Sequence, residues 1–238
     1  MHNALDVINL RKEYSGFTLQ NVSFSLPTGS IMGFVGENGA GKTTTIKSIL
    51  NLINYNSGEI RAFGKILDKN NARDGIGVVT DTTPYNEKWR INDVEKIASL
   101  FYRQWDKVQF NTLLGKFSLN KNMKVGELSK GMSVKLMLAV AMSHNAKLLI
   151  LDEPTSGLDP VARDELCGIL LDYVRPGDRS ILFSTHITSD LEKVADYITC
   201  ISNGRILFSS PKETLLKNNP NTTLDDIVVS ASRRDNHE

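Results

Sequence analysis

The chain has 238 residues, with 28 Lys and Arg against 27 Asp and Glu for a formal net charge of +1. Domains usually run to roughly 100–200 residues, so one domain with a sizeable insertion is expected, and 40% hydrophobic with 23% charged residues fits a globular chain able to bury a full core. Collagen-like, disulfide-scaffold and wholly disordered chains are excluded, and the near-zero charge gives no electrostatic case for nucleic acid as a partner. Cys167 and Cys200 are too few for a disulfide framework and show no CxxC spacing, so they read as buried, reduced thiols. The first residues lack a signal peptide's basic-then-apolar order. No apolar run approaches the about 18 residues of a membrane span.

In chain order, Leu5, Val7-Ile8 and Leu10, then Val22, Phe24 and Leu26, roughly alternate with polar residues. That period of two predicts an antiparallel sheet with one solvated face, with a slip at Val7-Ile8. Ile31–Val35 is a short apolar run that leads through a glycine-rich turn into a helical stretch, Lys42 to Leu52. Ile76–Val79, Leu148–Leu151 and Ile181–Phe183 are three more runs of buried-strand character. Near-continuous apolar strands between helices predict a parallel sheet covered on both faces. Helical patterns over Ile91–Tyr102, Lys107–Phe117 and Met132–Ser143 mark an all-helical insertion at about residues 82–146. Asn203-Gly204 between the apolar runs Tyr197–Ser202 and Arg205–Phe208 predicts a hairpin. The expected division is one domain over residues 1–218 and a flexible, frayed tail over 219–238.

Gly36-Glu37-Asn38-Gly39-Ala40-Gly41-Lys42-Thr43 matches G-x-x-x-x-G-K-[ST], with a strand before it and a helix after it. Glycines let the backbone wrap a phosphate chain and present N–H donors, and the helix that begins at Lys42 adds its positive end. Lys42 would then reach the β- and γ-phosphates, and the Thr43 hydroxyl would hold Mg²⁺, with Thr44 beside it. Leu148 to Leu151 followed by Asp152-Glu153 places two acids at the carboxyl end of a strand, where open α/β sheets bind ligands. Asp152 would serve the metal and Glu153 would act as general base on the attacking water. Taken alone, adjacent acids at a strand end are as readily solvated turn residues; the phosphate loop upstream favours the catalytic reading.

Four further segments follow in the order of an ATP-binding cassette (ABC) ATPase, and the chain resembles that family over roughly residues 4 to 215. Leu128-Ser129-Lys130-Gly131-Met132 resembles its signature motif, Ser156-Gly157-Leu158-Asp159 its D-loop, His186 its switch histidine and Tyr14 the aromatic that stacks on adenine. The resemblance implies a P-loop α/β core with a mainly parallel sheet, an antiparallel β subdomain and the helical insertion. It also implies MgATP hydrolysis in a head-to-tail homodimer or heterodimer. There Ser129 and Gly131 serve the nucleotide held by the opposite subunit, Asp159 of the D-loop is counted among the nucleotide-binding residues, and a separate transmembrane permease is driven from the cytoplasmic face of the membrane. Likeness to bacterial exporter ATPases implies peptides or antibiotics as cargo.

Two positions depart from the pattern. Asp81 stands where the family has Gln, and a carboxylate there suggests a further hard oxygen donor to Mg²⁺. Lys130 and Met132 stand in the signature where Gly and Gln are usual. The run Phe101-Tyr102-Arg103-Gln104-Trp105-Asp106 suggests a groove for a permease helix, with Tyr102 and Trp105 at the interface and Phe101 in the insertion's core. A soluble ABC ATPase of translation or DNA repair is the rival from another class, although one cassette and no sustained heptads disfavour it. A regulatory module that holds ATP without turnover is a second rival, kept alive by Asp81.

Overall fold

A computed structural model describes residues 3–68 and 75–235. Strands β1 (Asn3–Tyr14), β2 (Phe17–Pro27), β4 (Ser57–Ala62) and β5 (Lys65–Ile66) form a four-stranded antiparallel sheet in the order β2-β1-β4-β5. The slip in alternation at Val7-Ile8 is a bulge: the β1–β2 register shifts between Val7 and Leu10, and Asn9 takes a left-handed φ of 49°.

The second sheet has the order β10-β9-β3-β8-β7-β6, built from β3 (Ile31–Val35), β6 (Ile76–Val79), β7 (Leu148–Asp152), β8 (Ser180–Thr185), β9 (Tyr197–Ser202) and β10 (Arg205–Pro211). All neighbours are parallel except the β9–β10 hairpin, which turns at Asn203-Gly204 with both φ values positive. Period two explains why the parallel strands are apolar throughout. On β3, Ile31 and Val35 enter one core while Met32 and Phe34 enter the other; on β7, Leu149 and Leu151 part in the same way from Leu148 and Ile150. One core lies between the two sheets and takes in Ile46 and Ile49 of α1 (Lys42–Ile49). The opposite core is closed by the remaining helices.

Between β6 and β7 run α2 (Ile91–Phe101), α3 (Lys107–Lys116), a 3₁₀ turn at Val125–Glu127 and α4 (Lys130–Ser143). Helix α4 buries residues on nearly every side, from Val134 to Ser143, because it packs on both α3 and β6. Helices α5 (Pro160–Val174) and α6 (Thr188–Val194) follow β7 and β8. Cys167 and Cys200 are both buried and free, and burial pushes their thiols up to about 11 and about 12.

The tail departs from expectation. After α7 (Lys212–Asn218), residues Leu224–Asp235 form helix α8 where a frayed end was expected. Its Leu224, Val228 and Ser232 are buried, and it packs on α6, β9 and β10. Fully burying a Leu or Val side chain contributes about 1.5–3 kcal/mol, which favours the docked helix over a free end. Residues 236–238, also assigned to the frayed end, lie outside the described residues.

Candidate functional site

The phosphate loop leaves β3 at Gly36 and enters α1 at Lys42. At Gly36 a Cβ would stand 2.3 Å from the Ile201 carbonyl oxygen, so only glycine fits there. Gly41 holds φ 115°, with Leu19 Cδ2 2.7 Å from where its Cβ would be. No side chain caps α1 and its first turn carries no acid, so its leading N–H groups are left for an external anion. Glu37, Asn38 and Gly39 are exposed, Ala40 is buried and Thr44 half-buried. Lys42, only 6% exposed, donates to the carbonyls of Gly36 at 2.6 Å and Glu37 at 3.2 Å, so the loop holds its own cation in place.

Strand β7 brings its acids to the same end of the sheet. Asp152 Oδ1 lies 3.5 Å from Thr43 Oγ1, and burial raises the Asp152 carboxyl above its ordinary value, with the Thr43 hydrogen bond opposing the shift. A desolvated carboxylate facing a hydroxyl is a hard-oxygen pair that a divalent cation would relieve, so Thr43 and Asp152 fit Mg²⁺. Glu153 is bent out of the strand with φ 52°, a left-handed value uncommon for a non-glycine residue and costing order 1–3 kcal/mol. The bend turns its carboxylate between two partners: Oε2 lies 2.8 Å from His186 Nδ1, and Oε1 lies 3.4 Å from Lys42 Nζ. Oε1 is buried without a hydrogen-bond partner among the described residues, an acceptor aimed beside the phosphate loop. His186, 44% exposed, follows β8 directly.

Lys42, Thr43, Asp152, Glu153 and His186 therefore come together as one cluster. Other expected residues are engaged elsewhere. Ser129 is the N-cap of α4 and its hydroxyl accepts from the Met132 N–H at 3.3 Å, with Gly131 in the first turn. Asp159 caps α5, accepting from the N–H groups of Val161 and Ala162 at 3.0 Å each, so its carboxylate is committed within its own chain. Tyr14 ends β1, 46% exposed, with Lys12 Nζ 4.7 Å from its ring centroid; the aromatic against the loop's Gly41 is Phe17, which the sequence reading passed over.

Asp81 was expected beside Thr43 and Asp152; its carboxylate pairs with Lys130, and no hydrogen bond or ion pair among the described residues links it to the other two. The aromatic assignments in the insertion are corrected. Phe101 is 79% exposed and lines a groove of about 1240 Å³ with Tyr85, Trp89, Ile97, Tyr102 and His144. Trp105 turns inward, its ring centroid 5.1 Å from that of buried Phe110. Tyr102 remains at the groove, stacked on His144 at 3.9 Å. Sequence reading also missed Arg163, whose guanidinium grips buried Asp190 at 2.7 Å and so ties α5, after the D-loop, to α6, after His186.

The family described as ABC transporter matches residues 19–156. The bacitracin transport ATP-binding protein BcrA of Bacillus licheniformis is 32% identical, covering 92% of this chain and 73% of its own length. The lantibiotic transport ATP-binding protein SrtF of Streptococcus pyogenes is 34% identical over 85% of this chain and 89% of its own. Among solved structures, an ATP-binding subunit of an ABC transporter superposes with a TM-score of 0.86 at 27% identity, covering 96% of this chain and 99% of that one. A nucleotide-free ATP-binding cassette at 21% identity and a TM-score of 0.80, covering 97% and 98%, shares the fold. The chain belongs to the ABC transporter family, as an ATP-binding subunit that hydrolyses ATP.

Proposed function

We propose that this subunit binds MgATP between two copies packed head to tail, or between itself and a related ATPase subunit, and so powers a separate membrane permease that exports peptides or antibiotics. Names of relatives support the cargo class, bacitracin and lantibiotic transport for the two above, and one supports the outward direction, Nod factor export for a 32% identical protein of Burkholderia orbicola. They do not favour a translation, repair or purely regulatory role. The apolar groove beside Phe101 and Tyr102 suits a permease helix laid into it. Attachment to the cytoplasmic face would run through the permease; among the described residues no helix is long and apolar enough to cross a membrane.

One observation carries the hydrolytic part: the Glu153 carboxylate is held between His186 and Lys42, and its buried Oε1 has no hydrogen-bond partner among the described residues. Lys42 and the uncapped N-terminus of α1 hold the phosphate chain, and Thr43 and Asp152 would hold Mg²⁺, which neutralises phosphate charge when bound. Glu153 takes a proton from the attacking water, and His186 fixes the orientation of its carboxylate. Glu153→Gln tests this reading. It should keep ATP binding while slowing hydrolysis by about 10²–10⁴-fold, the usual contribution of a general base. Hydrolysis at the wild-type rate would remove Glu153 from that role.

A further inference from the structure

Two departures from the family pattern meet in space. Asp81, exposed after β6, and Lys130, the first residue of α4, form an ion pair in which Nζ donates to Oδ1. The stem of Lys130 also lies along the D-loop: a Cβ on Gly157 would stand 3.5 Å from its Cδ and 3.6 Å from its Nζ. One side chain thus ties the signature segment to two others. A cavity of about 230 Å³ opens beside it, lined also by Ser129, Gly131, Lys135, Leu158 and Asp159. The other charges there are already committed, since Lys135 pairs with Glu165 and Asp159 caps α5. A cation in the first turn of a helix sits at the wrong end of the macrodipole, so Lys130 needs an anion, and Asp81 supplies it.

We propose that Asp81 acts on the ATPase site through Lys130, as an internal counter-ion that competes with nucleotide phosphate for the cation of the signature segment. The proposal rests on the head-to-tail reading, in which the N-terminus of α4 faces a nucleotide held by the second copy. Phosphate and carboxylate then contend for one ammonium group, and Asp81 raises the ATP concentration at which the two copies close. The pair is built to exchange: its side chains are 35% and 53% exposed. Exposed pairs of this kind shift an equilibrium by up to about fivefold. Asp81 is a positioning residue on this account.

The test is steady-state hydrolysis by the full chain, titrated in ATP at saturating Mg²⁺ and in Mg²⁺ at saturating ATP. Asp81→Asn should lower the KM for ATP by about threefold to fivefold. Lys130→Met should raise it by a similar factor, and Lys130→Arg, which keeps the charge, should raise it less than Lys130→Met does. In a Lys130→Met background, Asp81→Asn should have no further effect, because its route is gone. Equal effects of Asp81→Asn in both backgrounds would overturn the proposal, as would a raised Mg²⁺ requirement in both, which would return Asp81 to the metal. A KM indifferent to Lys130→Met would overturn it too. Failure of the underlying reading looks different. In that case wild-type turnover per subunit would not depend on protein concentration and Ser129→Arg would be silent, and the proposal would fall with it.

Discussion

The phosphate loop and the signature segment both offer a lysine at the start of a helix, and they treat it in opposite ways. Lys42 is 6% exposed, pinned by two loop carbonyls and 3.4 Å from Glu153, in a turn whose shape depends on Gly36 and Gly41. Lys130 is about one-third exposed and held by a single exposed carboxylate contributed by a segment far away in the chain. The first cation is set by the backbone around it and is ready for phosphate before any ligand arrives. The second is set by a side chain that has to let go. A site built on strand ends is fixed by local chemistry, whereas one built across an insertion depends on which side chains meet.

Removing the fixed cation should give the largest effect. Lys42→Ala should abolish measurable ATP binding by titration calorimetry, because the loop's N–H groups and helix end alone leave the phosphate charge under-neutralised. Since the lysine satisfies two carbonyls of its own loop, a thermal melt should accompany the titration to show that the chain still folds. Undiminished affinity in a folded variant would mean that the two lysines are not as different as their surroundings indicate.

Breaking the other side should leave binding intact and damage only turnover. Ser129→Arg removes the cap of α4 and places bulk where a second copy's nucleotide would lie. The isolated subunit should bind ATP as the wild type does but hydrolyse it many-fold more slowly. Mixing Ser129→Arg with Lys42→Ala should restore part of the activity, since each mixed pair then contains one composite site free of both defects. Full recovery, or none, would contradict the head-to-tail arrangement.

The same contrast explains how much of the molecule was legible in its sequence. Strands β3, β7 and β8 and the loop after β3 could be read because apolar runs, glycines and acids at strand ends each have a local cause. Asp152 and Glu153 fell in place for that reason, even though the backbone bend that aims Glu153 leaves no trace in composition. The Asp81–Lys130 contact could not be read, because Asp81 suggested a metal ligand, Lys130 stood only as a departure within the signature, and their meeting depends on tertiary folding. Phe101 and Trp105 were exchanged because aromatic density says nothing about which ring faces the core. Helix α8 was missed because a polar, charged end hid Leu224 and Val228, spaced four apart on one face.

The smallest effect expected lies at the far end of α4, where His144 is stacked on Tyr102 beside the groove. Burial holds its imidazole below the ordinary value of 6.5, and a backbone hydrogen bond only partly opposes this. The unfolded chain takes up the proton at the ordinary value, so between the two values it binds more protons than the folded chain does. Stability is then full above 6.5 and declines as the pH falls through it. His144→Phe retains an aromatic partner for Tyr102 and removes the titration. Between about pH 7.5 and about pH 5.5 the wild-type melting temperature should fall further than the variant's. Comparing the two curves cancels the carboxylates, which titrate alike in both proteins. Parallel curves would mean that His144 accepts its proton without leaving the stack, so that the carboxyl end of α4 holds a cation where the helix dipole favours one.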